Sequence, residues 1–209
     1  MPLLRTLRLA RCSRAYSSAS SAPSASSSAP TKTIPFPHPL HVGTDLCSTV
    51  RIHRLLLKSP ARFIRRVLTP RELRELPPVP SADAMPIIMA PRTAISYLAS
   101  AETMPSNLAK GAEQEEGPLW SAATHLAGRF AAKEAAIKAH PHIPSLTLQS
   151  IRIGRSHDAT EHRNNSGPPI AYITLPPAAE GDAPTEQEAR LSISHDGKYA
   201  TAVCIGFES

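Results

Sequence analysis

Gly128-Arg129-Phe130-Ala131-Ala132-Lys133-Glu134-Ala135-Ala136-Ile137-Lys138-Ala139 is the stretch on which the reading of this chain turns. Its composition, Ala-rich with Lys, Glu and Arg, predicts a helix. Glu134 and Lys138 are four apart and share a face. Leu126, Phe130 and Ile137 supply an apolar stripe. Arg129 and Lys133 share an edge on the other side of that stripe. One carboxylate and three cations on so short an element suit either a solvated, ion-paired face or an anionic ligand held together with a metal. The stretch by itself leaves both open. Trp120 opens the same helix and His140-Pro141 stops it, because the residue before a proline is steered away from helical geometry.

Working outward, Leu40 to Leu46 alternates apolar and polar residues around Gly43 and reads as a short strand ending near Asp45. Thr49 to Leu57 and about Ala61 to Val67 read as helices. Thr69-Pro70-Arg71-Glu72 is a helix start, with Thr as N-cap, Pro in the first position and an acid in the first turn; that helix ends before Pro77-Pro78. Residues 77–118 form a proline-rich insertion with a possible short helix at Ala94 to Ala101. Beyond the long helix the chain is β: Leu146 to Ile153, Ile170 to Leu175, then Arg190 to His195 and Tyr199 to Ile205 joined by an Asp196-Gly197 hairpin turn. Pro176 to Glu188 reads as a loop. The order implies an α+β fold, an antiparallel sheet packed on a long central helix.

The chain has 209 residues, with 22 prolines and 4% aromatics. One domain spanning 41–209 is expected behind a leader at 1–40. No stretch reaches the ~20 apolar residues that a membrane span needs. The formal net charge is +6, but much of it sits at the front. Arg5, Arg8, Arg11 and Arg14 recur every third residue with Leu3, Leu4 and Leu7 between them, and no acid precedes Asp45. A Ser/Ala-rich tract follows. This is the pattern of a mitochondrial presequence, and Arg14-Ala15-Tyr16-Ser17 resembles a matrix-peptidase cleavage site. Without residues 1–16 the chain is close to neutral. That weighs against a nucleic-acid partner, as the absence of a membrane-length stretch does against a membrane one. Cys12 falls in the presequence; Cys47 and Cys204 lack metal-ligand spacing and sit in apolar surroundings.

Asp45 and Glu134 could make a Mg²⁺ site if the fold unites them, since Mg²⁺ takes one or two carboxylates and leaves the rest to water and phosphate. In Leu191-Ser192-Ile193-Ser194-His195, Leu191 and Ile193 face one way and Ser192 and Ser194 the other. Ser194 and His195 stand where the strand meets its turn and could present a hydroxyl and an imidazole to a phosphate. The remaining histidines, His140, His142, His157 and His162, show no zinc spacing on a fixed element. Arg51, Arg54 and Lys58 fall on one face of a basic amphipathic helix, with Arg62, Arg65 and Arg66 beyond it. Such a surface suits an acidic protein or a phosphate backbone.

Three segments in order resemble the holo-[acyl-carrier-protein] synthases, the short class of 4'-phosphopantetheinyl transferases. Val42-Gly43-Thr44-Asp45-Leu46 resembles their first strand, Leu126 to Lys138 their signature helix, and Leu191 to His195 with Tyr199-Ala200 their C-terminal hairpin. Phe63 to Glu72 is similar to a further helix boundary. The resemblance covers about residues 41–76 and 119–206. It implies transfer of 4'-phosphopantetheine from coenzyme A to a serine of apo acyl carrier protein, with release of adenosine 3',5'-bisphosphate, in support of mitochondrial fatty-acid synthesis in the matrix. It further implies that Asp45 and Glu134 hold Mg²⁺ and that Lys138 neutralises the diphosphate or helps deprotonate the serine. Arg129, Ser194 and His195 are implied at the coenzyme, Arg51, Arg54 and Arg62 at the carrier protein, and a homotrimeric assembly. Two loops depart from the family pattern: Lys138 runs into Ala139-His140-Pro141-His142 without a Gly-Thr-Gly, and Ser166-Gly167-Pro168-Pro169 lacks a lysine. The competing reading is a non-enzymatic basic mitochondrial module that binds RNA or a ribosomal partner.

Overall fold

The computed structural model describes residues 36–78, 90–101, 116–155, 167–177 and 183–208. The expected presequence, the acidic residues Glu113 and Glu115, and His157 and His162 lie outside those residues. Strand β1 (Leu40–Ser48) leads into helices α1 (Thr49–Lys58), α2 (Pro60–Val67) and α3 (Pro70–Arg74). Helix α4 (Pro91–Ser100) and the long α5 (Gly117–Lys138) follow. A 3₁₀ turn (Leu148–Ser150) then precedes β2 (Ile151–Arg155), β3 (Pro169–Leu175), β4 (Thr185–Asp196) and β5 (Tyr199–Phe207). The five strands form one sheet in the order β1-β5-β4-β3-β2, with every neighbouring pair antiparallel. The expected α+β architecture, a sheet packed on a long helix, is what the chain adopts.

Side-chain size decides how α5 seats on the sheet. Ala131, Ala132, Ala135, Ala136 and Ala139 are all fully buried. Opposite them β5 offers Ala200, Ala202, Cys204 and Gly206, all buried. At Gly43 a Cβ would stand 1.9 Å from the carbonyl oxygen of Ala135, so only glycine lets the backbone of β1 approach the helix this closely. The core-facing surface of α5 is therefore its alanine face. Phe130 and Ile137, the expected apolar stripe, are only partly buried at its margin, while Leu126 is fully buried.

This seating turns the alternation of β1 and β5 outward. Gly43, Asp45 and Cys47 share the face of β1 that meets α5, whereas Val42 and Leu46 are 68% and 65% exposed. On β5 the exposed large residues are Tyr199, Val203, Ile205 and Phe207. Paired in register, Val42 with Ile205 and Leu40 with Phe207, they make a continuous apolar outer face.

Ser48 caps α1 by accepting from the Arg51 N–H. Thr69 and Glu72 form a reciprocal capping box at α3. Two elements differ from expectation. Leu146 to Gln149 is not strand: Thr147 and Ser150 cap a 3₁₀ turn, and the Gln149 side-chain amide donates to the carbonyls of Arg65, Arg66 and Leu68, closing the end of α2. Thr185 to Glu188, read as loop, is the start of β4, paired with β3. Within the 77–118 segment, α4 sends Ala94, Ile95 and Leu98 into the main core, and the Arg65 guanidinium and Ser96 hydroxyl bond the Ala99 and Pro77 carbonyls. Among the described residues no helix is long and apolar enough to cross a membrane.

Candidate functional site

Asp45 leaves the helix-facing side of β1 and meets the last turn of α5. Lys138 donates from Nζ to Asp45 Oδ1 at 2.9 Å and to the Thr44 carbonyl at 2.9 Å. The Asp45 side chain is 17% exposed and that of Lys138 is 50% exposed. Glu134 precedes Lys138 by one helical turn, about 6 Å along the axis. Asp45 and Glu134 both act on the Cys47 thiol, whose pKa burial raises while the Arg51 guanidinium, bonded to Sγ at 3.5 Å, opposes the rise. Glu134 shares the Lys138 face of α5, so Asp45, Lys138 and Glu134 stand on the same side of the β1–α5 seam, with Arg51 bonded to Cys47 beside them. Arg51 is anchored there, its guanidinium carbon 5.1 Å from the centroid of the Phe130 ring. Arg54 and Arg62 are exposed on α1 and α2.

A second ionic cluster lies inside the protein. Lys133 is completely buried, and its ammonium donates to Glu72 Oε2 at 2.6 Å, to the Val67 carbonyl at 2.6 Å and to the Leu148 carbonyl at 3.1 Å. Glu72 also accepts from the backbone N–H groups of Thr69 and Ile153. Arg129 lies 3.8 Å from its other oxygen and donates to the Ile153 carbonyl. Burial holds the Lys133 pKa below the usual lysine value, and Glu72 opposes that shift. All three ammonium protons have acceptors, the condition under which a buried charge persists. Of the edge formed by Arg129 and Lys133, which the sequence leaves open as a solvated or a ligand-binding face, Lys133 belongs to an internal tie joining α5 to α3, the end of α2 and β2.

Beside this tie is a cavity of about 250 Å³, lined by Arg71, Arg92, Arg129, Arg152 and Arg155 along with Glu72, Glu75 and His125. Glu186 neutralises Arg152 at 2.9 Å. An adjoining recess of about 210 Å³ carries Arg129, Arg155, His125 and His195. His195 packs directly on α5: a Cβ at Gly128 would fall 2.6 Å from its Nε2, and Nε2 lies 3.2 Å from the Thr124 carbonyl. His125 has its pKa lowered to about 4, first by burial and then by Arg129 and Arg92. It is neutral at physiological pH, so the net positive potential of the cavity comes from guanidinium groups. Such a recess suits phosphate.

No family model matches the chain. It is 36% identical over 182 residues to the 4'-phosphopantetheinyl transferase B, mitochondrial, of Aspergillus fumigatus, an alignment covering 83% of this chain and 97% of the relative. The chain belongs to the 4'-phosphopantetheinyl transferase family. Solved structures that resemble it include the Plasmodium yoelii acyl carrier protein synthase with ADP bound (22% identity, TM-score 0.47, covering 82% of this chain and 97% of that one). Another is the holo-[acyl-carrier-protein] synthase of Neisseria meningitidis (24% identity, TM-score 0.43, covering 81% and 98%).

In this transferase the sequence-predicted residues fall into two groups. Asp45 and Lys138 meet at the β1–α5 corner, with Glu134 one turn before Lys138 on the same helix face. Arg129 and His195 meet at the basic recess. Arg129 precedes Glu134 by five residues, about 140° around the helix, so the two groups occupy different sides of α5. Ser194 joins neither: it is exposed on the outer face of β4, opposite Thr201, while His195 points to α5. Glu72 and His125 are the polar residues that sequence reasoning missed. Glu72 carries a capping-box signal, which marks a helix start but not a partner sixty residues away. His125 carries no signal, because its neutrality comes entirely from folding.

Proposed function

We propose that this transferase moves 4'-phosphopantetheine from coenzyme A to a serine hydroxyl of apo acyl carrier protein and releases adenosine 3',5'-bisphosphate. The observation that carries the proposal is the Lys138–Asp45 contact at a solvent-reaching corner, with Glu134 one helical turn from Lys138 on the same face. In the reaction the serine oxygen forms a bond to the phosphorus that bears the pantetheine arm. The bond from that phosphorus to the bridging oxygen breaks, and the nucleotide leaves as the bisphosphate. The serine proton passes to a base at the corner.

Asp45 and Glu134 offer the hard oxygen donors that Mg²⁺ prefers, and the Lys138 ammonium on Asp45 already marks that carboxylate as a cation-binding group. Asp45 and Glu134 would hold the ion, which when bound supplies charge neutralisation for the diphosphate. Lys138 turns from Asp45 to the diphosphate as the substrate arrives. Arg129 and His195 take the 3'-phosphate in the basic recess; Ser194, on the outer face of β4, has no part in it. Arg51, Arg54 and Arg62 present cations to an acidic carrier protein.

The apolar outer face of β1 and β5 supports self-association as a homotrimer, since exposed patches of this kind mark interaction sites. Because the corner and the recess lie on different sides of α5, a neighbouring copy would bring one next to the other. The acid-free, arginine-rich N-terminus supports a mitochondrial location, in the matrix, and the Aspergillus fumigatus relative is named mitochondrial. There the enzyme serves the carrier of fatty-acid synthesis.

The test is mass spectrometry of apo acyl carrier protein incubated with this protein, coenzyme A and Mg²⁺. The carrier is expected to gain one phosphopantetheine group, the gain disappearing with EDTA and returning with added Mg²⁺. An unmodified carrier under all three conditions refutes the proposal.

A further inference from the structure

Away from both groups, three residues that are distant in sequence converge at the far end of β1. His41 precedes Asp45 on the same face of the strand. Its register partner on β5 is Gly206, which puts Glu208, two residues on, diagonally across from it. The Glu208 N–H donates to the Pro39 carbonyl at 2.9 Å, fixing the C-terminal end beside β1. His142 arrives from the turn after α5. His41 Nε2 lies 3.1 Å from Glu208 Oε2, the His41 and His142 ring centroids are 5.8 Å apart, and one ligand atom from each of the three residues lies within 4.8 Å of the others.

We propose that His41, His142 and Glu208 form a transition-metal site whose occupant is Zn²⁺. Ligand atoms around tetrahedral zinc stand about 3.3 Å apart, given bonds of about 2.0–2.1 Å to nitrogen and oxygen. The His41–Glu208 pair already has that separation, and the third ligand closes in by a small rotamer change. Two imidazoles and one carboxylate suit zinc and not Mg²⁺, which takes oxygen donors. The second, independent observation is a bare nitrogen: His142 Nδ1 is buried and has no hydrogen-bond partner among the described residues. Such an atom carries a desolvation cost that a metal bond through this nitrogen would remove.

The surroundings are built to hold these rings. His140 stands beside His142, with ring centroids 5.7 Å apart, and its Nδ1 pairs with the Ala136 carbonyl at 2.7 Å. Its ring lies over Gly206, where a Cβ would come within 2.8 Å of it. Zinc here clips three pieces of chain together: the start of β1, the turn that ends α5 and the tail beyond β5. Two of these are the elements that carry Asp45 and Lys138, so the clip braces the corner from its other end.

The experiment uses the tag-free full-length chain, stripped with a chelator and dialysed against Zn²⁺ in millimolar Mg²⁺, with bound metal counted by mass spectrometry. Wild type is expected to retain one zinc at this site, and Co²⁺ in its place to show the visible absorption of a tetrahedral centre. His41→Ala and His142→Ala are expected to weaken zinc binding by about tenfold or more, with circular dichroism confirming the fold. Glu208→Gln, at an exposed position, weakens binding without touching the core. An Asp45→Asn/Glu134→Gln double variant keeps the zinc, which separates this site from the corner. Zinc retained equally by all three ligand variants, or no zinc retained by wild type, overturns the proposal and leaves only a hydrogen-bonded His41–Glu208 pair.

Discussion

Lys138 grips Asp45 at 2.9 Å across the junction of β1 and α5, two residues 93 positions apart in the chain. The pair is half open to solvent on the lysine side. A contact of this kind adds about 0–1 kcal/mol to stability, so its placement serves the corner more than the fold.

Asp45→Asn and Glu134→Gln are therefore expected to separate activity from stability. Each should lower the rate of carrier modification by about 10²-fold or more, the scale of loss when a preorganised charge-stabilising group is removed. Urea unfolding should move by about 1 kcal/mol or less. Rates measured by the carrier mass-shift assay, beside unfolding curves of the same samples, decide it. Near-native rates in either variant would remove that carboxylate from the site.

The buried tie should behave in the opposite way. Lys133→Met leaves the Glu72 carboxylate charged and enclosed, at an expected cost of about 3–5 kcal/mol. Adding Glu72→Leu to it should recover only part of that loss, because the N–H groups of Thr69 and Ile153 then lose their acceptor. Denaturant unfolding of the single and double variants reads both numbers. A Lys133→Met protein as stable as wild type would mean that Glu72 is neutral or wet.

His125 sets an acid limit on stability. Its folded pKa of about 4 lies below the ordinary 6.5, so between these values the unfolded chain binds the proton and the folded chain does not. Stability linked to this group is complete above pH 6.5 and is lost as the pH falls from 6.5 towards 4. His125→Gln should flatten that part of the stability–pH curve, measured by thermal unfolding across the range. An unchanged slope would assign the acid limb to other groups.

Gly128→Ala tests the recess. The new methyl would collide with the His195 ring at 2.6 Å, and the flexible side chain must swing away while the helix itself gains propensity. The expected result is a protein at least as stable as wild type with a KM for coenzyme A raised about tenfold, one lost phosphate contact being worth about 1.5–3 kcal/mol at most. If KM is unchanged, His195 has no part in holding the nucleotide.

The elements are legible in the sequence where local chemistry is decisive. Thr69-Pro70-Arg71-Glu72 starts a helix, Asp196-Gly197 turns a hairpin with Gly197 at φ +51°, and the alanine-rich stretch is helical throughout. What sequence hides is which face of an element looks inward. Lys133 sits four residues from Arg129 and reads as part of a wet edge, yet it is among the most enclosed side chains in the molecule. Phe130 reads as core and instead supports Arg51 at a margin. Both inversions have one cause: the alanine face fits the small residues of β5, and helix rotation follows volume, which hydropathy does not encode. Asp45, Glu134 and Lys138 can be nominated from residue type and spacing, but the contact of Asp45 with Lys138 depends on β1 pairing with β5 beneath α5. His41, His142 and Glu208 share no spacing at all, and their proximity exists only in three dimensions.

Gly43 gives the β1–α5 seam an unusual stiffness. Main-chain atoms meet there with no side chain between them, so the gap cannot be retuned by swapping rotamers or trading one methyl for another. Asp45, two residues along, inherits its aim from peptide geometry. Drift elsewhere in the chain can reshape the outer surfaces freely, while the distance from this carboxylate to the helix stays fixed unless the backbone itself is broken.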